Sequence, residues 1–243
     1  MDELDKKTQR RLISYADALN RAAPGNIISI IAYGDVTLSR PAGIQTLIVV
    51  ERIGSEFLLQ YSRLKRRFPG FAPPLFFTLD ILRSSGDVFP VEILNIKDSY
   101  VVVYGEDVLQ EIKVRLEDLR TEVEQQVKRQ FLKLLDEFLY SLERKADLEQ
   151  LLTSSLIAFV PLFRNILRLI KKECPVEGTL FKEFCEELGL NDSVFFKIWD
   201  IKMGRKRFTK KELLNIFDSY TGEIEKLIAR LESLNSARGY CIP

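Results

Sequence analysis

The hydrophobic pattern changes its period near residues 110 to 115, and this change constrains the fold more than any other feature. Before that point, helical stripes alternate with short β-branched runs such as "IISIIAY" (27–33) and "YVVVYG" (100–105). After it, apolar residues recur only at the three- and four-residue steps of amphipathic helices. The sequence therefore predicts an α+β fold, with a small mixed-sheet α/β domain over 1–112 and an all-helical bundle over 113–243.

The amino-terminal half alternates helix and strand patterns that end at glycine and proline residues. In chain order, we predict a helix over 2–22, strands over 27–33 and 44–51, a helix over 55–68, a loop with a short helix over 73–86, and strands over 88–97 and 100–105. Two strands, a helix and two more strands form a small mixed sheet.

The carboxyl-terminal half predicts five helices, two long, two short and one long. Asp147 with Gln150 and Thr209 with Glu212 have the spacing of capping boxes. Gly189 and Asn191 are the predicted C-cap and N-cap between the two short helices.

Residues 151–170 form the most apolar stretch, which contains Pro161, Arg164 and Arg168. Because an Arg at the centre of a membrane span costs about 2.5–3.5 kcal/mol, this pattern predicts a buried bundle helix. The charged stretch "MDELDKKTQRRL" (1–12) is unlike a signal peptide. We therefore expect a cytoplasmic protein with no membrane partner.

The chain contains no histidine, which excludes Ser-His-Asp and Cys-His catalysis and His-ligated zinc. The 36 Lys and Arg residues against 35 Asp and Glu give a formal net charge of +1, so no overall field attracts nucleic acid or an anionic membrane. Cys174, Cys185 and Cys241 lack paired metal-ligand spacing, and we expect idle thiols in a reducing compartment. Carboxylate, lysine, tyrosine or metal-phosphate chemistry remains available.

The stretch "IISIIAYGDVTLSRPAGIQTLIVV" (27–50), joined to "FPVEILNIKDSYVVVYGEDVL" (89–109), resembles the nucleotidyltransferase superfamily, the fold of polymerase beta and kanamycin nucleotidyltransferase. The resemblance covers about residues 25–110. It implies a Gly-Ser pair after the first strand that grips nucleotide phosphates. It also implies an Asp-x-Asp on the second strand and a carboxylate on a neighbouring strand, which together hold two divalent ions.

Matched residue by residue, Gly34 stands at the family's glycine, and Asp35 replaces its serine. The two aspartate positions hold Ile44 and Thr46, which cannot ligate two hard cations. Glu92 falls near the third carboxylate. At about 4 Å, Asp35 repels a phosphate charge by roughly 1 kcal/mol in water and about 4 at a protein-like dielectric. The resemblance thus implies a degenerate metal site.

Our first hypothesis is a binding module for a nucleotide or protein partner that needs no cofactor and runs no metal-dependent transfer. The nucleotide-binding candidates are Gly34, Asp35, Arg63 and Arg66, and the candidate catalytic carboxylates are Glu92 and Asp35. The alternative is an active Mg²⁺-dependent nucleotidyltransferase that recruits Glu51 or Asp87 as further ligands.

A second alternative is an interaction scaffold that uses the basic loop "KMGRKRFTKK" (202–211). Arg205, Lys206 and Arg207 are its predicted partner-binding residues, for nucleic acid or an acidic protein. A solvated loop without a ligand is the competing interpretation, because no RNA-module aromatic signature accompanies it. The oligomeric state stays open.

Overall fold

A computed structural model of the chain describes residues 5–34, 44–171, 179–233 and 241–242. The described residues form two compact units. The first runs to Arg115 and includes the strand at 241–242, and the second begins at Leu116.

The first unit alternates helices and short strands. Its elements are α1 (Lys6–Ala22), β1 (Ile27–Tyr33), β2 (Gln45–Val50), α2 (Ser55–Lys65), β3 (Leu75–Thr78), α3 (Leu79–Arg83), α4 (Ser85–Val88), α5 (Pro90–Lys97), β4 (Tyr100–Gly105), β5 (Val114–Arg115) and β6 (Cys241–Ile242). Four of the strands form one mixed sheet in the order β3-β2-β1-β4. In it β1 is antiparallel to β2 and β4, and β3 is parallel to β2. The predicted α+β class is confirmed.

One face of this sheet is covered by α1 and α2, and the core between them is apolar. Its buried residues come from both helices and from the two central strands, and include Leu12, Tyr15, Leu19, Ile30, Ala32, Ile48, Val50, Phe57, Tyr61 and Leu64. The Tyr15 ring stacks on Phe71 with the centroids 4.3 Å apart. Burial of each large side chain contributes about 1.5–3 kcal/mol, so this core fixes how α1 and α2 sit on the sheet.

Two predicted elements of this unit are wrong. The run 88–97 was expected as a strand, but Pro90–Lys97 forms helix α5. Pro90 occupies its first turn, where the fixed φ and the missing N–H are tolerated. Because α5 buries Val91, Ile93, Leu94 and Ile96, it has no polar face whose period would reveal the helix.

The stretch 73–86 was expected as a loop and a short helix, but Leu75–Thr78 forms strand β3 before α3 begins. The pairing of β3 with β2 is a tertiary interaction, and the preceding Pro73-Pro74 pair conceals the strand in the sequence.

The described part of the second unit contains five helices, as the sequence predicts. They are α6 (Leu116–Tyr140), α7 (Lys145–Lys171), α8 (Leu180–Leu188), α9 (Asp192–Lys202) and α10 (Lys210–Ser233). Their core is rich in aromatic rings: Phe163 stacks on Phe184 at 4.1 Å between centroids and meets the edge of Phe195 at 5.5 Å.

Helix α7 is long and apolar enough to cross a membrane by length and composition alone. Its apolar side chains nevertheless pack inside the bundle, where Leu148, Leu152, Leu156, Phe159, Phe163, Ile166 and Leu167 are buried. The interpretation of 151–170 as a bundle helix agrees with this packing.

Three of the four predicted helix caps are confirmed. The Thr209 N–H donates to Glu212 Oε2 at 2.7 Å, and the Glu212 N–H donates to Thr209 Oγ1 at 3.3 Å, which completes a capping box. Gly189 ends α8 with a φ of 62°, and Asn191 accepts a bond from the Ser193 N–H. Asp147 is not a cap, because α7 already begins at Lys145 and the Asp147 carboxylate pairs with Arg144 at 2.9 Å.

Cys185 is a buried free thiol on α8. Burial, with Asp192 and Glu223 nearby, raises the pKa of the thiol to about 12, so it is protonated and unreactive at neutral pH. Cys174 lies outside the described residues.

Candidate functional site

Gly34 ends strand β1 in a conformation that favours glycine. Its φ is 78°, and a Cβ at this position would lie 3.1 Å from Gln45 Oε1. The Gly34 N–H donates to the Ser99 carbonyl at 2.8 Å, and the Ser99 hydroxyl donates to the Gly34 carbonyl at 3.4 Å. The start of β4 therefore holds Gly34 in place. Asp35, the adjoining candidate, lies outside the described residues.

Thr46, at the position of the family's second aspartate, lies inside the core of the first unit. It pairs with Ala32 of β1 and is 0% exposed. Because side chains alternate along a strand, Thr46 shares a face with Ile48 and Val50, beneath α1 and α2. Its hydroxyl lies beside the Tyr15 hydroxyl, whose pKa is raised chiefly by burial. This position faces the helices rather than an open cleft.

Ile44, at the first aspartate position, joins the sheet to the segment after α2. Its N–H donates to the Gly70 carbonyl at 2.8 Å, and its carbonyl accepts from the Ala72 N–H at 2.9 Å. The Ile44 side chain packs against the same core as Thr46. Both positions therefore serve packing.

Glu92 lies in the first turn of α5, so its predicted place on a third strand is wrong. It is half-buried, and its charge adds to burial in raising the pKa of the Tyr33 hydroxyl. Tyr33 directly precedes Gly34, so the structure does bring Glu92 near that end of β1. The strand beside β2 is β3, and the first acid after it is the exposed Asp80 in α3.

Asp98 is a carboxylate near Gly34 that the sequence analysis missed. It caps the C-terminus of α5 directly before Ser99, with one carboxylate oxygen buried. Asp98 stands six positions after Glu92, which at helical geometry is about 9 Å along the axis and about 120° around it. The two side chains therefore leave α5 in different directions. The sequence signal was obscured because α5 was interpreted as a strand.

The two other carboxylates considered for a metal site lie elsewhere. Glu51 follows β2 at the end opposite Gln45, where its N–H donates to the Asn26 carbonyl at 2.9 Å. A strand rise of about 3.3 Å per residue places it about 20 Å from the Gly34 end. Asp87 is exposed on α4. Within the described ranges, no three His, Cys, Asp or Glu residues are arranged to hold a metal ion.

Arg63 and Arg66 belong to the end of α2. Arg63 lies in its last turn and lines a groove between α1 and α2, together with Arg21 and Arg67. Arg66 caps the helix and does not line the groove. The sequence analysis missed Arg21 and Arg67, because only the packing of α1 against α2 places them beside Arg63.

The positive charge of the basic loop between α9 and α10 is partly neutralised by Asp200 of α9. Arg205 and Lys206 pair with Asp200 at 3.9 and 3.2 Å, and Arg207 is exposed. Exposed pairs of this kind contribute about 0–1 kcal/mol, so a stronger anion can displace Asp200. Partner binding by these three residues stays a prediction.

No protein-family model and no curated protein matches this chain. The likeness to nucleotidyltransferases therefore remains a prediction from the residues themselves.

Proposed function

We propose that this protein is a nucleotide-binding module with a degenerate nucleotidyltransferase-like domain, which acts by binding and runs no metal-dependent transfer. We place it in the cytoplasm, where nucleotides are abundant and thiols stay reduced.

The burial of Thr46 carries this proposal. Two divalent ions about 3.5–4 Å apart need several anionic oxygens around them. The second aspartate position points into the apolar core under α1, where a charged carboxylate would be costly. Three carboxylates discussed above support the same conclusion, since Glu51 lies at the far end of β2 and Glu92 and Asp98 diverge on α5.

Calorimetric titration of ATP, GTP, CTP and UTP tests the proposal, each in EDTA and in Mg²⁺. We expect at least one nucleotide to bind in EDTA, with an affinity that Mg²⁺ does not raise. Binding that requires Mg²⁺ would restore the enzyme hypothesis. If none of the four nucleotides gives a binding signal, the proposed nucleotide binding is wrong.

A further inference from the structure

The groove between α1 and α2 combines a small apolar floor with cationic walls. Its volume is about 390 Å³, within the range of pockets that hold small ligands. Ala18, Ala22 and Leu64 form the floor, and Gln60 adds an amide. The two alanines leave the space that larger side chains would fill. Arg21, Arg63 and Arg67 complete the lining.

The three arginines approach the groove from both helices. Arg63 lies in the last turn of α2, and Arg67 lies two residues beyond its end, where the chain turns and the Arg67 N–H donates to the Leu64 carbonyl at 2.9 Å. Arg21 stands on α1 across the groove. A ligand between the helices is therefore contacted by cations from two sides.

Within the described ranges, no acidic side chain neutralises the positive charge of the groove. Among the described residues, Arg21, Arg63 and Arg67 make no ion pair and no side-chain hydrogen bond. Asp17 lies one turn before Arg21 on α1 but does not pair with it. Like charges that converge in this way repel each other, and an anion in the groove removes that repulsion.

We infer that the α1–α2 groove binds a small polyphosphate ligand without a metal ion. Guanidinium groups form paired hydrogen bonds to phosphate oxygens, and three of them match two or three linked phosphates. The shared chemistry is the phosphoanhydride chain, either of a nucleoside triphosphate or of inorganic polyphosphate. This inference rests on the proposed binding function and gives it a site.

Titration of tripolyphosphate and of ATP in EDTA tests the inference on the full chain. We expect Arg63→Ala and Arg67→Ala each to weaken binding about tenfold or more, because each removes a charge-assisted contact. Arg66→Ala is the matched control: it removes the same charge from the adjacent residue, which lies outside the groove, and should change the affinity less than twofold.

Two further variants distinguish specific binding in the groove from a non-specific electrostatic attraction of anions to the surface. Ala22→Leu fills the groove without a change of charge and should weaken both ligands, while unchanged thermal unfolding confirms that the variant folds. Asp17→Asn removes a nearby negative charge and should strengthen binding modestly.

Each result bears on the inference. Equal affinities for the two ligands indicate recognition of the phosphates alone, and tighter ATP binding indicates that the base contacts the floor; both support it. If Arg66→Ala weakens the affinity as much as Arg67→Ala does, the inference is overturned. Tighter binding of a single-stranded oligonucleotide than of tripolyphosphate at 150 mM salt would also overturn it. If ATP binds and the groove substitutions leave its affinity unchanged, the assignment of the site to the groove is wrong, but the proposed nucleotide binding stands.

Discussion

Thr46 occupies a position where a carboxylate would have neither water nor a cation to stabilise it. The residue lies on β2 and is fully buried beneath α1 and α2, among aliphatic side chains and two tyrosines. At the scale of single residues, the burial of Thr46 keeps this position away from any metal ion in solvent. The conformation of Gly34 is held by hydrogen bonds from its N–H to the Ser99 carbonyl and from the Ser99 hydroxyl to its carbonyl.

An aspartate introduced at this position should destabilise the protein and create no enzyme activity. Thr46→Asp should lower the free energy of unfolding by at least about 3 kcal/mol, because it buries an unpaired charge. Thr46→Val is the control and should change stability by about 1 kcal/mol or less, since only a hydroxyl is removed. Urea unfolding measures both. A Thr46→Asp variant as stable as the wild type would show that the position opens to solvent.

The electrostatic effect of Glu92 on the pKa of Tyr33 gives a test of where Glu92 lies. The negative charge of Glu92 opposes ionisation of Tyr33, so Glu92→Gln should lower the pKa of that hydroxyl. Glu51→Gln, at the far end of β2, should leave it unchanged. Spectrophotometric titration of the tyrosines, with Tyr33→Phe to assign the signal, measures the shift. An unchanged Tyr33 pKa in Glu92→Gln would remove Glu92 from the Gly34 end.

The helices and strands that the sequence predicts correctly are those whose formation depends on interactions between residues close in sequence. Helices α1, α2, α6 and α10 show an amphipathic period, and the caps Thr209 and Gly189 act through their own neighbours, so the sequence predicts them. Helix α5 and strand β3 depend on burial and on pairing with distant segments. Their local patterns were ambiguous or misleading for that reason.

The candidate site was less predictable than the fold. Gly34 and Arg63 were identifiable from motif and charge. Arg21 and Arg67 were not, because only the packing of α1 against α2 places them beside Arg63. Asp98 was missed because its helix, α5, was interpreted as a strand. The Glu92 position was inferred from a strand that does not form.

The two proposed capping boxes differ in a way that stability measurements resolve. Thr209→Ala should cost about 1 kcal/mol, because it leaves first-turn N–H groups of α10 unsatisfied. Asp147→Ala should cost less than about 0.5 kcal/mol, because it removes only an exposed ion pair. Thermal and urea unfolding compare the two. Equal costs would contradict the conclusion that Asp147, in the first turn of α7, is not its N-cap.

The capping box also gives a pH dependence. Bonds from Thr209 lower the pKa of Glu212 below its ordinary value of 4.5. A lowered folded-state pKa stabilises the protein above the unfolded value, and this contribution is lost as the pH falls through the folded value. The stability gap between the wild type and Glu212→Gln should therefore be full near pH 7 and shrink below about pH 4.5. A gap that grows with acid would contradict the bonding pattern.

For the whole molecule, we expect local rather than global charge to decide whether the chain attracts an anion. The formal net charge is only +1, so steering of a polyanion has to come from clusters. The groove of the first unit and the loop of the second are two such clusters, and only the groove combines its cations with an apolar floor. We therefore assign the small ligand to the groove and leave the loop as a predicted partner surface.

We propose that this protein binds its ligand without metal-dependent transfer. The most direct test is pyrophosphate release from the four nucleoside triphosphates, in Mg²⁺ or Mn²⁺, with RNA, protein and small hydroxyl or amine acceptors present. We predict release no faster than in a protein-free sample, and no difference between the wild type and Glu92→Gln. Metal-dependent release that is lost in Glu92→Gln would contradict the account.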